Sequence, residues 1–135
     1  MTIHVRAPAT SANLGGADID TVATVCSTGI ATPSLEARVA RAMGFRSDVM
    51  RVPVFGLGCA GGVTGLGLGA SLAQERPGSV VLVVAVELCT LSFRLDSLTK
   101  ANIVATALFG DGASACVLCT KGRGVAQVDG SVLVR

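Results

Sequence analysis

The chain has 135 residues, half of them apolar, with 17 Gly, 5 Cys, 1 His, no Trp or Tyr and a net charge of +2. That length fits one domain with a real core, and its 15% charged residues fall well below the roughly 25% of an ordinary soluble domain. The 11 scattered Lys and Arg form no basic stripe for nucleic acid, and the longest wholly apolar run, Val80 to Val86, is far too short to span a bilayer.

Taken in chain order, residues 1–15 fit no alternation and read as a leader, with the boundary placed after residue 16. Ile19 to Cys26 is rich in Val, Ile and Thr and reads as a strand. Thr32 is the expected N-cap of a helix with Pro33 in its first position, apolar at Leu35, Val39, Ala42 and Met43, and stopped by Gly44. Met50, Val52 and Val54 alternate in the next strand, where Pro53 favours an edge or a bulge. A glycine-rich turn at Gly56 to Gly62 then runs into a helix as far as Glu75. Each glycine in that helix costs about 1 kcal/mol against Ala, so burial against close neighbours must hold it.

Val80 to Val86 reads as a central strand, apolar on both faces. A helix is expected from about Asp96 or Ser97 to Leu108, carrying Ile103, Val104, Ala107 and Leu108. Gly110-Asp111-Gly112 turns into a strand over Ala113 to Cys119, and a hairpin follows over Val125 to Val134 with an Asp129-Gly130 turn. The order β-α-β-α-β-α-β plus a hairpin is an α/β layered sheet.

Cys59 is the residue with chemical promise. It stands where a strand and a glycine turn meet the start of a helix, with Gly58, Gly61 and Gly62 leaving space around the sulfur. The competing reading is a packed structural cysteine. Cys116 and Cys119 form a C-x-x-C, but residues three apart on a strand face opposite ways and no second ligand pair exists, so packing is expected there. Glu87 reads as a buried, hydrogen-bonded structural acid, and Asp111 as turn chemistry.

The order of motifs adds a resemblance. Val25-Cys-Ser-Thr-Gly29 with Pro33, Gly58-Cys59-Ala-Gly-Gly62, Val80-Val-Leu-Val-Val84 with Glu87, Ser92-Phe93-Arg94 and Leu108-Phe-Gly-Asp-Gly-Ala113 follow one another in register. Residues 17 to 119 thereby resemble the N-terminal half of type III polyketide synthases, the chalcone and stilbene synthase family of the thiolase fold. The resemblance implies a partial thiolase-like domain over residues 17–135, one βαβαβαβ half with the hairpin appended. It implies an acyltransferase that uses acyl-coenzyme A and malonyl-coenzyme A as substrates, as a homodimer, with no metal or prosthetic group. Cys59 falls on the nucleophile and Phe109 on the aromatic gatekeeper. Ser27, Thr28 and Ser92 fall on cavity-lining positions, and Thr32 on the dimer-interface position. The family's catalytic His and Asn belong to its C-terminal half. The sole histidine here, His4, lies in the leader, and Asn102 lies on the wrong segment. The expectation is a partial synthase that acylates slowly and does not extend. With no signal-peptide pattern at residue 1 and 5 cysteines, reduced thiols in the cytoplasm are expected.

Two alternatives accompany this reading. Val5-Arg-Ala-Pro-Ala-Thr-Ser-Ala-Asn-Leu-Gly15 resembles the first motif of the GHMP kinases, homoserine kinase in particular, and either Gly56-Leu-Gly58 or Gly65-Leu-Gly-Leu-Gly-Ala-Ser71 faintly resembles their phosphate loop. The other alternative is a non-catalytic remnant or dimerisation module, since a half-fold would leave apolar surface seeking a partner.

Overall fold

A computed structural model describes residues 3–6, 14–94, 96–120 and 127–128. Strands β1 (Ile3–Arg6), β2 (Thr21–Cys26), β3 (Met50–Phe55), β4 (Val80–Leu88), β5 (Asp111–Thr120) and β6 (Gln127–Val128) form one sheet in the order β3-β2-β4-β5-β1-β6. β2 runs parallel to β3 and β4, while β5 runs antiparallel to β4 and β1. Helices α1 (Leu35–Val39), α2 (Gly61–Glu75) and α3 (Lys100–Leu108) connect the strands.

Alternation along the central strands divides the core into two layers. Ala23, Val81, Val83 and Leu118 pack with Ala73 of α2, whereas Val22, Leu82 and Val117 pack with Ile19 and Val49 on the opposite face. β2 is buried along its whole length, whereas β4, expected to be covered over its apolar run, is buried only at Val81 to Val83 and half-buried from Val84 to Glu87. Pro53 lies on edge strand β3, where the missing N–H can face away from the ladder.

α2 follows from its small residues. Gly61, Gly65, Gly69 and Ala73 recur every four positions and are its buried residues. A Cβ at Gly65 would stand 2.6 Å from Val25 Cγ2, and one at Gly69 would stand 2.5 Å from Val83 Cγ2 and 2.7 Å from Leu118 Cδ1. Gly62 and Gly67 would meet nothing within 4 Å. Close approach therefore explains one glycine row of the helix and leaves the others unexplained. The same helix disposes of the later kinase-like run: Gly65 to Ser71 is helical throughout, with no loop to cradle a phosphate. Of the earlier kinase-like motif, residues 7–13 lie outside the described residues.

Several expected boundaries move. Thr32 is not the N-cap of α1, which starts at Leu35 after Ser34. Arg38 instead donates to the Pro33 and Thr32 carbonyls at 3.0 and 3.2 Å, holding that segment outside the helix. Gly44 does end the α1 region: at φ +69 it allows Phe45 N–H to reach Ala40 O at 3.0 Å and its own N–H to reach Arg41 O at 3.2 Å. α3 begins at Lys100, later than expected, because Thr99 is its N-cap and accepts from Asn102 N–H at 3.3 Å. Asp111 and Gly112 belong to β5, opposite Leu88 and Glu87. Within the segment read as a leader, Ile3–Arg6 pairs with Arg6↔Val117 to Ile3↔Thr120 of β5. Gln127–Val128 of the expected hairpin pairs in parallel with β1, and the turn and second strand lie outside the described residues.

At the end of the sheet where the parallel strands begin, Asp20 ties three of them together. Its carboxylate accepts Val80 N–H and Arg46 Nη2, each at 2.8 Å, and its backbone bonds Val80 O and Met50 N–H. The Val80 N–H, then the Arg46 guanidinium, hold the Asp20 carboxyl below the usual carboxylate range. A depressed folded-state pKa stabilises above the unfolded value, about 4, and that contribution is lost as pH falls through the folded value. Asp20→Ala, which leaves the Val80 N–H without its acceptor, is expected to cost about 2 kcal/mol at neutral pH. In urea titrations the penalty should shrink as the solution is acidified through the folded value, and a penalty independent of pH would contradict this role.

Candidate active site

The opposite end of the sheet carries the site. Glu87, near the end of β4, accepts the backbone N–H groups of Ser27 and Thr28 at 2.9 and 3.0 Å and the Thr28 hydroxyl at 2.6 Å. Thr28 Oγ1 in turn accepts Leu88 N–H at 2.7 Å. This reciprocal clamp fixes the segment leaving β2 against the end of β4, so Glu87 is the hydrogen-bonded structural acid expected, although it is half-buried rather than buried. Ser27 Oγ then accepts Gly58 N–H at 2.9 Å, so the clamp reaches the loop beyond β3. Gly58 sits at φ +53, a conformation that suits glycine. Beyond it, Gly58–Ala60 forms a single 3-10 turn that runs directly into α2.

Cys59 occupies the middle of that turn and is exposed, whereas Cys26 is buried and Cys89, Cys116 and Cys119 are half-buried. Its pocket has a volume of about 360 Å³. Ser27, Thr28, Gly58, Cys59 and Glu87 line it together with Cys89, Ser92, Phe93, Asn102, Ala105 and Phe109. Phe109 stands at the C-cap of α3, where its N–H bonds Ala105 O at 2.9 Å. The 3-10 turn Cys89–Ser92 is held by Asp111, which accepts Thr90 N–H at 2.9 Å and the Thr90 hydroxyl at 2.8 Å. The Thr90 N–H foremost, then its hydroxyl, hold the Asp111 carboxyl below its ordinary value. Asp111 is thus turn chemistry, although the turn it organises lies across the ladder rather than at its own position.

Of the residues singled out in the sequence, Cys59, Phe109, Ser27, Thr28 and Ser92 all line this one pocket. Thr32 does not; it is exposed on the segment before α1. Cys89 and Phe93 were not singled out as lining residues, and only their proximity to Ser92 in sequence signalled them. Asn102 also lines the pocket, but its Nδ2 donates to Arg94 O and Ser97 O, both at 2.6 Å, so its amide hydrogens are engaged in holding the segment before α3. The sole histidine, His4, lies in β1 opposite Cys119, which pairs with Val80 at the far end of β4 from Leu88. Among the described residues the pocket therefore pairs an exposed thiol with hydroxyls, aromatic rings and the Glu87 carboxylate, and with no imidazole. Such a set can accept an acyl group and shelter an apolar chain, but its carboxylate, Glu87, is engaged by the Ser27 and Thr28 N–H groups and the Thr28 hydroxyl rather than by the thiol.

A family model described as chalcone and stilbene synthases, N-terminal domain, matches residues 13–122. A 1,3,6,8-tetrahydroxynaphthalene synthase of Streptomyces peucetius subsp. caesius is 50% identical over 107 residues, covering 79% of this chain and 28% of the relative. The structure of germicidin synthase from Streptomyces coelicolor, a type III polyketide synthase, superposes with a TM-score of 0.79 at 32% identity, over 84% of this chain and 30% of that one. The 1,3,6,8-tetrahydroxynaphthalene synthase structure from Streptomyces coelicolor A3(2) gives 0.75 at 33% identity, over 86% and 33%. The chain thus spans a third or less of the length of these relatives. Its sheet and helices are a partial thiolase-like α/β fold.

Exposure and the ionisation of thiols make one ordering testable. Burial pushes the Cys116 thiol up, and Cys26 is sealed in β2. With limiting iodoacetamide at neutral pH, Cys59 should be alkylated at least tenfold ahead of the other four, as read by peptide mapping. Equal, slow labelling of all five would leave an inert packing module as the better reading.

Proposed function

The chain belongs to the chalcone and stilbene synthase family, and we propose that it carries the acyl-accepting half of a type III polyketide synthase site, with Cys59 as nucleophile. The observation that supports this most is the convergence of Cys59, Phe109, Ser27, Thr28 and Ser92, chosen by sequence alone, on one pocket. In the proposed step Cys59 releases its thiol proton to solvent and the thiolate attacks the carbonyl carbon of an acyl-coenzyme A. A new C–S bond forms, the tetrahedral oxyanion collapses, and coenzyme A leaves as its thiolate with the electrons of the old C–S bond. Thioester is exchanged for thioester, so no oxidant, metal or prosthetic group is required.

The remaining roles are assigned by the same reading. Phe109, exposed at the mouth of the pocket, is the gatekeeping ring, and Ser27, Thr28 and Ser92 shape the space for the starter group. Malonyl-coenzyme A is the extender of the whole synthase, which acts as a cytoplasmic homodimer with Thr32 at the interface. The synthase-derived part is taken to begin after residue 16, with β1 of the preceding segment added to its sheet beside β5. No helix among the described residues is long and apolar enough to cross a membrane. Extension requires donors for the enolate oxygen released by decarboxylation. The family resemblance assigns these to a His and an Asn of the C-terminal half, and Asn102 has its amide hydrogens engaged elsewhere. α3 has no buried residue, and Leu98, Ile103 and Leu108 are more than half exposed, consistent with further protein packing over this side of the pocket.

Mass spectrometry of the 135-residue chain after incubation with an acyl-coenzyme A tests the reading. One acyl group is expected on Cys59, lost in Cys59→Ala, and added malonyl-coenzyme A should give no polyketide. Equal acylation of all the cysteines, or none at Cys59, would contradict the nucleophile. Sustained polyketide release would contradict the need for residues beyond this chain.

A further inference from the structure

A groove of about 620 Å³ runs along α3 and meets the Cys59 pocket at Ala105 and Phe109, which line both. Its other walls are Lys100, Ala101, Val104 and Leu108. Lys100, Val104 and Leu108 stand four residues apart and share one row of the helix, with Ala101 and Ala105 on the row beside it. Ile103 lies off both rows and does not line the groove. Val104, Leu108 and Phe109 are exposed, and the helix carries no acidic residue, so the groove is open and apolar over most of its length. Charge enters at the far end alone. Lys100 is the one basic residue of α3, is exposed, and forms no ion pair among the described residues.

An apolar path that ends in an unpaired cation suits a ligand with an uncharged stem and an anionic head. We propose that the groove holds the pantetheine arm of the acyl-coenzyme A, with the Lys100 ammonium on the diphosphate at the end of that arm. This assignment rests on Cys59 as the acyl acceptor, and it names the residues that bring the thioester there. The lengths agree. Lys100 and Phe109 stand nine residues apart, about 13 Å along the helix. The arm, a chain of amides and methylenes, extends to about 15 Å at roughly 3.5 Å for every three bonds. A thioester entering past Phe109 therefore brings its diphosphate to Lys100. The geminal methyl groups next to the diphosphate then fall beside Val104, one turn from Lys100.

The test times acyl transfer to Cys59 by intact-protein mass spectrometry, with acyl-coenzyme A and with the matching acyl-pantetheine, which keeps the arm and lacks the phosphates. The preference for acyl-coenzyme A, taken as the ratio of the two second-order rate constants at low salt, should fall about fivefold in Lys100→Gln and recover in Lys100→Arg. It should hold in Arg51→Gln, which removes an exposed cation near the start of β3, at the other end of the sheet. A second measurement does not need the thiol: calorimetric affinity for free coenzyme A in Cys59→Ala should drop by the same factor when Lys100→Gln is added. Coenzyme A held through Lys100 with no acyl group reaching Cys59 would contradict the nucleophile and leave the groove standing. Acylation of Cys59 with a preference that stays at its wild-type value in Lys100→Gln, or that falls equally in Arg51→Gln, overturns the groove and leaves the nucleophile standing. No binding of coenzyme A up to millimolar concentration also overturns the groove.

Discussion

The close approach of α2 to the sheet is the constraint on which the rest of this structure depends. Gly61, Gly65, Gly69 and Ala73 lay a row without bulk along one side of the helix, and Val25, Val83 and Leu118 fill the space that a row of side chains would take. A helix carrying that many glycines forfeits several kcal/mol of intrinsic propensity, at about 1 kcal/mol each. Burial against β2 and β4 offsets that loss only while the row stays empty. Because the first glycine of the row, Gly61, directly follows the turn that holds Cys59, the seating of the helix also sets where the sulfur lies.

The two ends of the sheet divide the work. Asp20 and Arg46 bind the starts of the parallel strands, far from the pocket, with an ionised carboxylate as the common acceptor. At the other end, Glu87, Thr28 and Ser27 form a relay of hydrogen bonds from β4 through the end of β2 to Gly58. That relay uses polar residues for position rather than for chemistry, which leaves the exposed thiol as the reactive group on this side of the pocket. Asp111 does for the Cys89–Ser92 turn what Glu87 does for Ser27 and Thr28.

Much of this was legible in the residues themselves. The β-branched runs marked β2, β3 and β4, Pro53 marked an edge, and Gly44 marked the end of the α1 region. The glycine-rich helix was readable as a buried one, although only the interval of four separates Gly61, Gly65 and Gly69 from Gly62 and Gly67, which touch nothing. Other features rest on contacts between distant segments that no local pattern reveals. The antiparallel direction of β5 is one, since a strand following a helix can run either way. The start of α1 at Leu35 rather than beside Pro33 depends on where Arg38 places its guanidinium, and the burial of Glu36 depends on how α1 lies on the edge of the sheet. For the site, the motif order brought together five residues that occupy one pocket, while Cys89, Phe93 and Asn102 joined them only through folding.

The seating of α2 can be tested through the chemistry it positions, by comparing the rate of acyl capture at Cys59 in Gly69→Ala and Gly67→Ala. A methyl group at Gly69 would press Val83 and Leu118 and cost about 1–3 kcal/mol by overpacking, while at Gly67 it meets open space and adds helix propensity. The account predicts capture slowed about tenfold in Gly69→Ala, as the lifted helix displaces the sulfur from its pocket, and unchanged in Gly67→Ala. Equal rates in the two variants would show that the site does not depend on how this helix meets the sheet.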